Sequence, residues 1–314
     1  MKKLLLCTLI VLMCVGTLFA GGGRDSADTR PRVAVSLGPQ NNAWHTRLRQ
    51  VIDQAVANHP DINWTVRNAQ NANDQIEMLT VFRDQGFDAM LIMPTDGNLI
   101  TPIASAIYQG GTPTVILNRA LANDQFTAFV QGDNFGLGVN AARFFGQRLN
   151  GTGNIVVLRS QAGTPIDVDR FAGFQSTLSR EFPNIRILTE ADGRFERQAG
   201  LDAMTNILPG YPQIDAVYTQ DDEAAIGALT AIQNARRSDI KFITGMGGMK
   251  SAYELLERND PVFLASMSYF PDMGFDGIEM VVRVLRGIPS PKVTTIAADT
   301  VTAQNVRQFI NRAY

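Results

Sequence analysis

Residues 89–118 read AMLIM-PTDGN-LITPIASAIYQ-GGTP-TVIL-N. The runs 89–93 and 114–117 are short, apolar and not interrupted by polar alternation, as expected of strands buried on both faces. The stretch between them, 99–109, carries its apolar residues at helical spacing. Strand, helix and strand in this order predict two parallel strands joined by a right-handed crossover.

The same rhythm extends outward in both directions. Upstream, strands are predicted at 33–37 and 63–67; downstream at 128–131, 155–159, 185–188, 216–219, 242–244 and 262–266. Helical spacing falls between them, for example at 44–57, 73–85, 135–149, 170–181, 222–235 and 272–286. This alternation predicts α/β architecture with parallel sheets. A single sheet of so many strands would be unusually wide. With 314 residues, 45 % of them hydrophobic, the chain suits two doubly wound domains, each with its own core.

Charge is nearly balanced, 28 Lys and Arg against 30 Asp and Glu. No basic excess or stripe points to nucleic acid as a partner. Lys2 and Lys3 precede an apolar run from Leu4, with small residues from Ala20 to Gly23. That pattern predicts a secretory signal peptide over 1–20, cleaved after Ala20, followed by a polar linker over 21–31. The apolar run is shorter than the ~20 residues that span a bilayer. Both cysteines, Cys7 and Cys14, lie inside it, so the exported chain would have neither disulfides nor thiolate metal sites. Cys14 is a weak candidate for lipid attachment, because Met13 is large where such signals prefer a small residue. The mature protein is expected outside the cytoplasm, soluble or lipid-anchored.

In doubly wound sheets, ligands bind at the carboxyl ends of the strands. The residues there are polar: Gln40-Asn41-Asn42, Thr95-Asp96, Asn118-Arg119, Asp133-Asn134, Asp192 and Gln220-Asp221-Asp222. Helix caps and turns account for part of this, with Asp222 a plausible cap and Asp96 a plausible turn former. They account less well for Arg119 and Arg170, each placed where the crevice is expected. Surface pairing of Arg170 with Asp167 or Asp169 is the alternative for that residue.

Several strings are familiar as a set: Asn41-Asn42-Ala43-Trp44, Pro94-Thr95-Asp96, Leu117-Asn118-Arg119, Asp169-Arg170-Phe171-Ala172-Gly173-Phe174, Gln220-Asp221-Asp222-Glu223 with Ala224-Ala225-Ile226-Gly227-Ala228-Leu229, and Phe270-Pro271-Asp272. In this order and spacing they resemble the ribose-binding type of periplasmic sugar-binding proteins, from about Val33 to about Ala297. The resemblance implies the type I periplasmic binding protein fold, two doubly wound parallel-sheet domains joined by a three-segment hinge. Its boundaries would be 32–132 plus 270–296 for the N-terminal domain and 133–269 plus 297–314 for the second.

The resemblance implies a sugar or sugar-like ligand held between the domains and delivered to the membrane permease of an ABC transporter by a monomer. An exported sugar sensor for a membrane chemoreceptor or signalling receptor is the alternative. The site residues implied are Asn42, Trp44, His45, Asp96, Asn118, Arg119, Arg170, Phe195, Asp221 and Tyr269. Trp44 and Phe195 could stack on sugar C–H groups; the arginines offer forked donors and Asp221 an acceptor. Departures cluster in the same places. Met93 stands where ribose binders carry Asn, Asn118 where they carry Asp, Asp221 for Asn, Gly247 for a cleft Asp and Tyr269 for a cross-cleft Gln. A site built for given hydroxyls rejects a ligand that leaves its groups unpaired, so ribose itself is disfavoured against another sugar, a polyol or a sugar acid.

Enzymatic signatures are weak. Gly245-Met246-Gly247-Gly248 lacks the spacing of a phosphate-binding glycine loop, and no serine elbow or metal-ligand cluster stands out. Neither cofactor nor metal is expected.

Overall fold

A computed structural model describes residues 28–314. The segment 1–20 expected to be a signal peptide, both cysteines and most of the expected linker lie outside the described residues. Among the described residues no helix is long and apolar enough to cross a membrane.

The strands form two six-stranded sheets. The first has the order β11-β5-β4-β3-β1-β2, all neighbours parallel, from β1 Arg32–Leu37, β2 Asn63–Asn68, β3 Ala89–Ile92, β4 Thr114–Leu117, β5 Ala128–Gly132 and β11 Val293–Ile296. The second repeats the plan as β12-β10-β9-β8-β6-β7, from β6 Thr152–Arg159, β7 Asn184–Asp192, β8 Ala216–Thr219, β9 Phe242–Gly247, β10 Phe263–Ser268 and β12 Thr300–Thr302. Only its β10–β12 edge is antiparallel. The central strands β3, β4, β8 and β9 are buried along their whole length, which is why they read as unbroken apolar runs.

Three stretches pass between the sheets: after β5, after β10 and between β11 and β12. After the second, α9 Met273–Leu285 packs on α1 Ala43–Ala57 and on strands of the first sheet. In both sheets the strand order turns back beside the first strand of the unit. The crevices at these turning points face the loops that follow β1 and β3 in the first sheet and β6 and β8 in the second, with the loop after β4 beside them.

Four local readings change. The residues Gly245 to Gly247 are the end of β9, not a loop. The helix expected to open at Arg170 starts five residues earlier, as α5 Pro165–Glu181 with proline in its first turn, where a missing N–H costs nothing. β7 runs well beyond 185–188. β11 and β12 were not expected, being short edge strands with half-exposed faces.

Candidate functional site

The first sheet contributes two loops. After β1, Asn42 caps α1 with its side chain accepting from His45 N at 2.9 Å. This cap sets Trp44 and His45 in the first helical turn, on the rim of the crevice. Trp44 Nε1 donates to the carbonyl of Tyr269 at 2.9 Å, and the two rings stack with centroids 6.0 Å apart. After β4, Asn118 takes the left-handed backbone conformation (φ 67°) and accepts a 2.5 Å hydrogen bond from the Tyr269 hydroxyl. That turn aims Arg119 at the crevice, where one guanidinium N–H donates to the carbonyl of Thr95.

The second sheet contributes its residues through tighter packing. Helices α4 Asn134–Arg148 and α5 touch backbone to backbone: a Cβ at Gly138 would lie 2.0 Å from the Arg170 carbonyl oxygen. This close approach places Arg170, nearly fully buried, where Nε donates to Asn134 Oδ1 at 3.0 Å and a terminal nitrogen donates to the Gln220 carbonyl at 2.7 Å. Its guanidinium lies 5.0 Å from the centre of the Tyr269 ring. Surface pairing is thereby excluded for Arg170. The Asp167 carboxylate is held by Arg159 at 2.6 and 2.7 Å.

Asp221, rather than Asp222, caps α7 Asp222–Asn234, its Oδ1 accepting from Glu223 N at 2.8 Å and Ala224 N at 3.1 Å. Asp222 is fully buried and its Oδ2 accepts from Gly248 N and Met249 N, each at 2.8 Å. It thereby pins the end of β9 to the start of α8 Lys250–Glu257. Arg194 and Phe195 both have positive φ, 54° and 58°. Two such non-glycine residues in succession cost energy and turn the Phe195 ring inward.

These groups meet around one cavity of about 110 Å³. At ~10–15 Å³ per water-sized occupant, that is room for roughly ten non-hydrogen atoms, the size of a single sugar ring with its hydroxyls. Asn42, Trp44, His45, Asn118, Arg119, Arg170, Phe195, Asp221 and Tyr269 all line it. Asp96 does not; it is the cap of α3 Gly97–Gln109, accepting from Leu99 N at 2.9 Å. The wall also contains Gly247, which the family resemblance had set at the position of a cleft Asp, and Ile166, Glu223, Met246, Met249 and Tyr314, which sequence reasoning did not assign to the site. For Met246 and Met249 the position at and just past the end of β9 was an available signal; for Tyr314 there was none.

The electrostatics are those of a mainly apolar pocket with a few charged and polar groups set into its wall. Burial, then the Arg119 guanidinium, pulls His45 down to about 4, so the ring is neutral at ordinary pH. Nδ1 lies 3.0 Å from Asn41 Oδ1, and in the tautomer that donates from Nδ1 to this oxygen Nε2 is an acceptor. Burial also lowers Arg119, partly offset by Tyr269 and Asp96, yet a guanidinium stays charged. Burial, then the neighbouring Asp222 carboxylate, pushes Asp221 up to about 7, tempered by its partial exposure to the cavity. Glu223 is paired with Arg197 at 2.8 Å. The cavity thus offers two forked cationic donors from opposite sheets, one acid, neutral acceptors and two aromatic faces. Among the described residues no cluster of His, Cys, Asp or Glu could hold a metal ion.

Residues 33–289 match a family described as periplasmic binding protein domain. The match covers most of the chain, and the chain belongs to this family of binding proteins. It is 28 % identical to the ribose import binding protein of Escherichia coli over 265 residues, 83 % of this chain and 87 % of that protein. It is 26 % identical to the xylitol-binding protein of Mycolicibacterium smegmatis over 243 residues, 77 % of this chain and 68 % of that one. Among solved structures, an ABC transporter solute binding protein from Bacillus halodurans with bound myo-inositol superposes with a TM-score of 0.82 at 23 % identity, covering 90 % of this chain and 98 % of the other. The fructose-binding periplasmic domain of a hybrid two-component system superposes with a TM-score of 0.80 at 26 % identity, covering 90 % and 94 %.

Proposed function

We propose that this periplasmic binding protein captures one neutral monosaccharide or polyol in the cavity between its two sheets and presents it to the permease of an ABC transporter. The observation that carries the reading is the pairing of Arg119 and Arg170 across one cavity of about 110 Å³. Each guanidinium keeps N–H donors not used by the protein, and they come from opposite sheets. A small ligand with several oxygens can satisfy both only when the sheets are drawn together, so binding favours the closed form. The two sheets then act as lobes, 32–132 with 270–296 and 133–269 with 297–314, and the three connecting stretches act as the hinge. The cavity is large enough for a single sugar ring.

The ligand residues are Asn42, Trp44, His45, Asn118, Arg119, Arg170, Phe195, Asp221 and Tyr269. Two guanidiniums beside one partly protonated acid do not themselves exclude a carboxylate, and the choice of a neutral sugar or polyol rests on the ribose import and xylitol-binding relatives. The ribose import and xylitol-binding relatives support the ligand class and favour transport over an exported sensor. The protein works outside the cytoplasm as a monomer, after export by the segment 1–20.

A thermal-shift screen of the exported protein against sugars, polyols, sugar acids and nucleosides tests the reading. A true ligand at a hundredfold excess over Kd stabilises by about 2.7 kcal/mol, and a neutral one binds equally well in low and high salt. No shift with any sugar or polyol, or a shift with nucleosides alone, refutes it.

A further inference from the structure

The wall of the cavity has a part that comes from far along the chain. After β12, two 3₁₀ turns, Val306–Gln308 and Ile310–Arg312, lead to Tyr314 on the cavity lining. This segment is held at several points. Lys250 N donates to the Tyr314 carbonyl at 2.8 Å. Arg312 Nε donates to Asp272 Oδ2 at 2.9 Å, with its guanidinium 4.1 Å from the centre of the Phe270 ring. Phe309 stacks on Phe270 with centroids 6.1 Å apart. The Tyr314 ring therefore enters the cavity from a fixed backbone.

Its hydroxyl occupies space that a side chain at position 247 would need. A Cβ at Gly247 would lie 2.6 Å from Tyr314 Oη, closer than real Cβ contacts come. Gly247 also has φ 139°, a conformation that side chains rarely permit. The glycine thus makes room for the phenol. Burial, then the Asp222 and Asp221 carboxylates, holds that phenol well above its ordinary pKa, so it remains a neutral O–H. Among the described residues this hydroxyl has no protein hydrogen-bond partner. A rigidly placed, unspent donor and acceptor on a mainly apolar cavity wall is what a binding site uses to select one arrangement of ligand hydroxyls.

We infer that the Tyr314 hydroxyl hydrogen-bonds a hydroxyl of the bound monosaccharide or polyol and, with Gly247, determines which stereoisomers the site accepts. The inference rests on the sugar- or polyol-binding reading above. Tyr314→Phe keeps the ring and its packing and removes only the hydroxyl. Titration calorimetry would compare the wild type and Tyr314→Phe against D-ribose, xylitol, myo-inositol, D-allose and D-fructose, with monodeoxy analogues of the tightest binder. Loss of one neutral hydrogen bond weakens that binder about 3- to 10-fold. One monodeoxy analogue should show the same loss in the wild type and no further loss in the variant, the rank order of ligands should change, and the unliganded melting point should stay in place.

Wild-type binding with Kd values unchanged in Tyr314→Phe overturns the inference alone. So does an equal loss for every ligand, which marks a structural role. A wild type that binds no member of the panel removes the reading beneath it and overturns both.

Discussion

Replacing Arg119 with methionine removes a charged fork while keeping an unbranched stem of similar length. Of the five N–H donors of the guanidinium, the protein uses one, to the Thr95 carbonyl; the rest are available to the cavity. Hydrogen bonds to a charged donor are worth about 1.5–3 kcal/mol each. With one or two made to the ligand, Arg119→Met should cost about 2–5 kcal/mol of binding, roughly 30- to 4000-fold in Kd. Stability should hardly move. The lost bond to Thr95 is offset by relief of a buried charge whose protonated form is already disfavoured by burial. Arg119→Lys should recover little, since an ammonium cannot reproduce the fork. The assay is titration calorimetry with the tightest ligand of the screen, alongside melting curves of the unliganded proteins. A folded Arg119→Met protein that binds within threefold of wild type would refute the placement of this residue at the ligand. Arg170→Ala makes a contrasting control: Arg170 is tied to Asn134 and Gln220, so its loss should lower both binding and stability.

Trp44→Ala should weaken binding by about 1–3 kcal/mol and also lower the melting point, because the indole N–H is bonded to the Tyr269 carbonyl; calorimetry showing unchanged affinity would remove Trp44 from the site. His45 gives a pH signature. Its folded value, about 4, lies below the ordinary 6.5, so the unfolded chain takes up a proton first as pH falls through 6.5 and the contribution of this group to stability drops toward pH 4. Relative to wild type, His45→Gln should therefore gain about 1–2 kcal/mol on going from pH 7 to 4.5, after discounting for partial exposure; paired melting curves showing no drift in the difference would contradict the neutral, buried ring.

The alternation of strand and helix, the parallel sheets and the position of the crevice were legible in the sequence, because each depends on local spacing. A strand covered on both faces must be apolar throughout, as in 89–93 and 114–117, and a polar residue directly after such a strand stands at the crevice whatever the rest of the chain does. Trp44 came only from the family resemblance, whereas this positional reasoning pointed to Asn42, Arg119 and Asp221. It could not tell a cap from a ligand contact: Asp96 and Asp221 follow their strands alike, yet Asp96 only caps α3 while Asp221 both caps α7 and faces the cavity. It also could not show that Arg170 is anchored by Asn134, 36 residues away. Tyr314 was invisible for the same reason. Its place depends on a glycine 67 positions earlier that leaves room for a hydroxyl, and on ties to Lys250 and Asp272 formed only when both sheets are assembled. Periodicity records which face of an element is buried; which distant side chains share that burial is decided by packing.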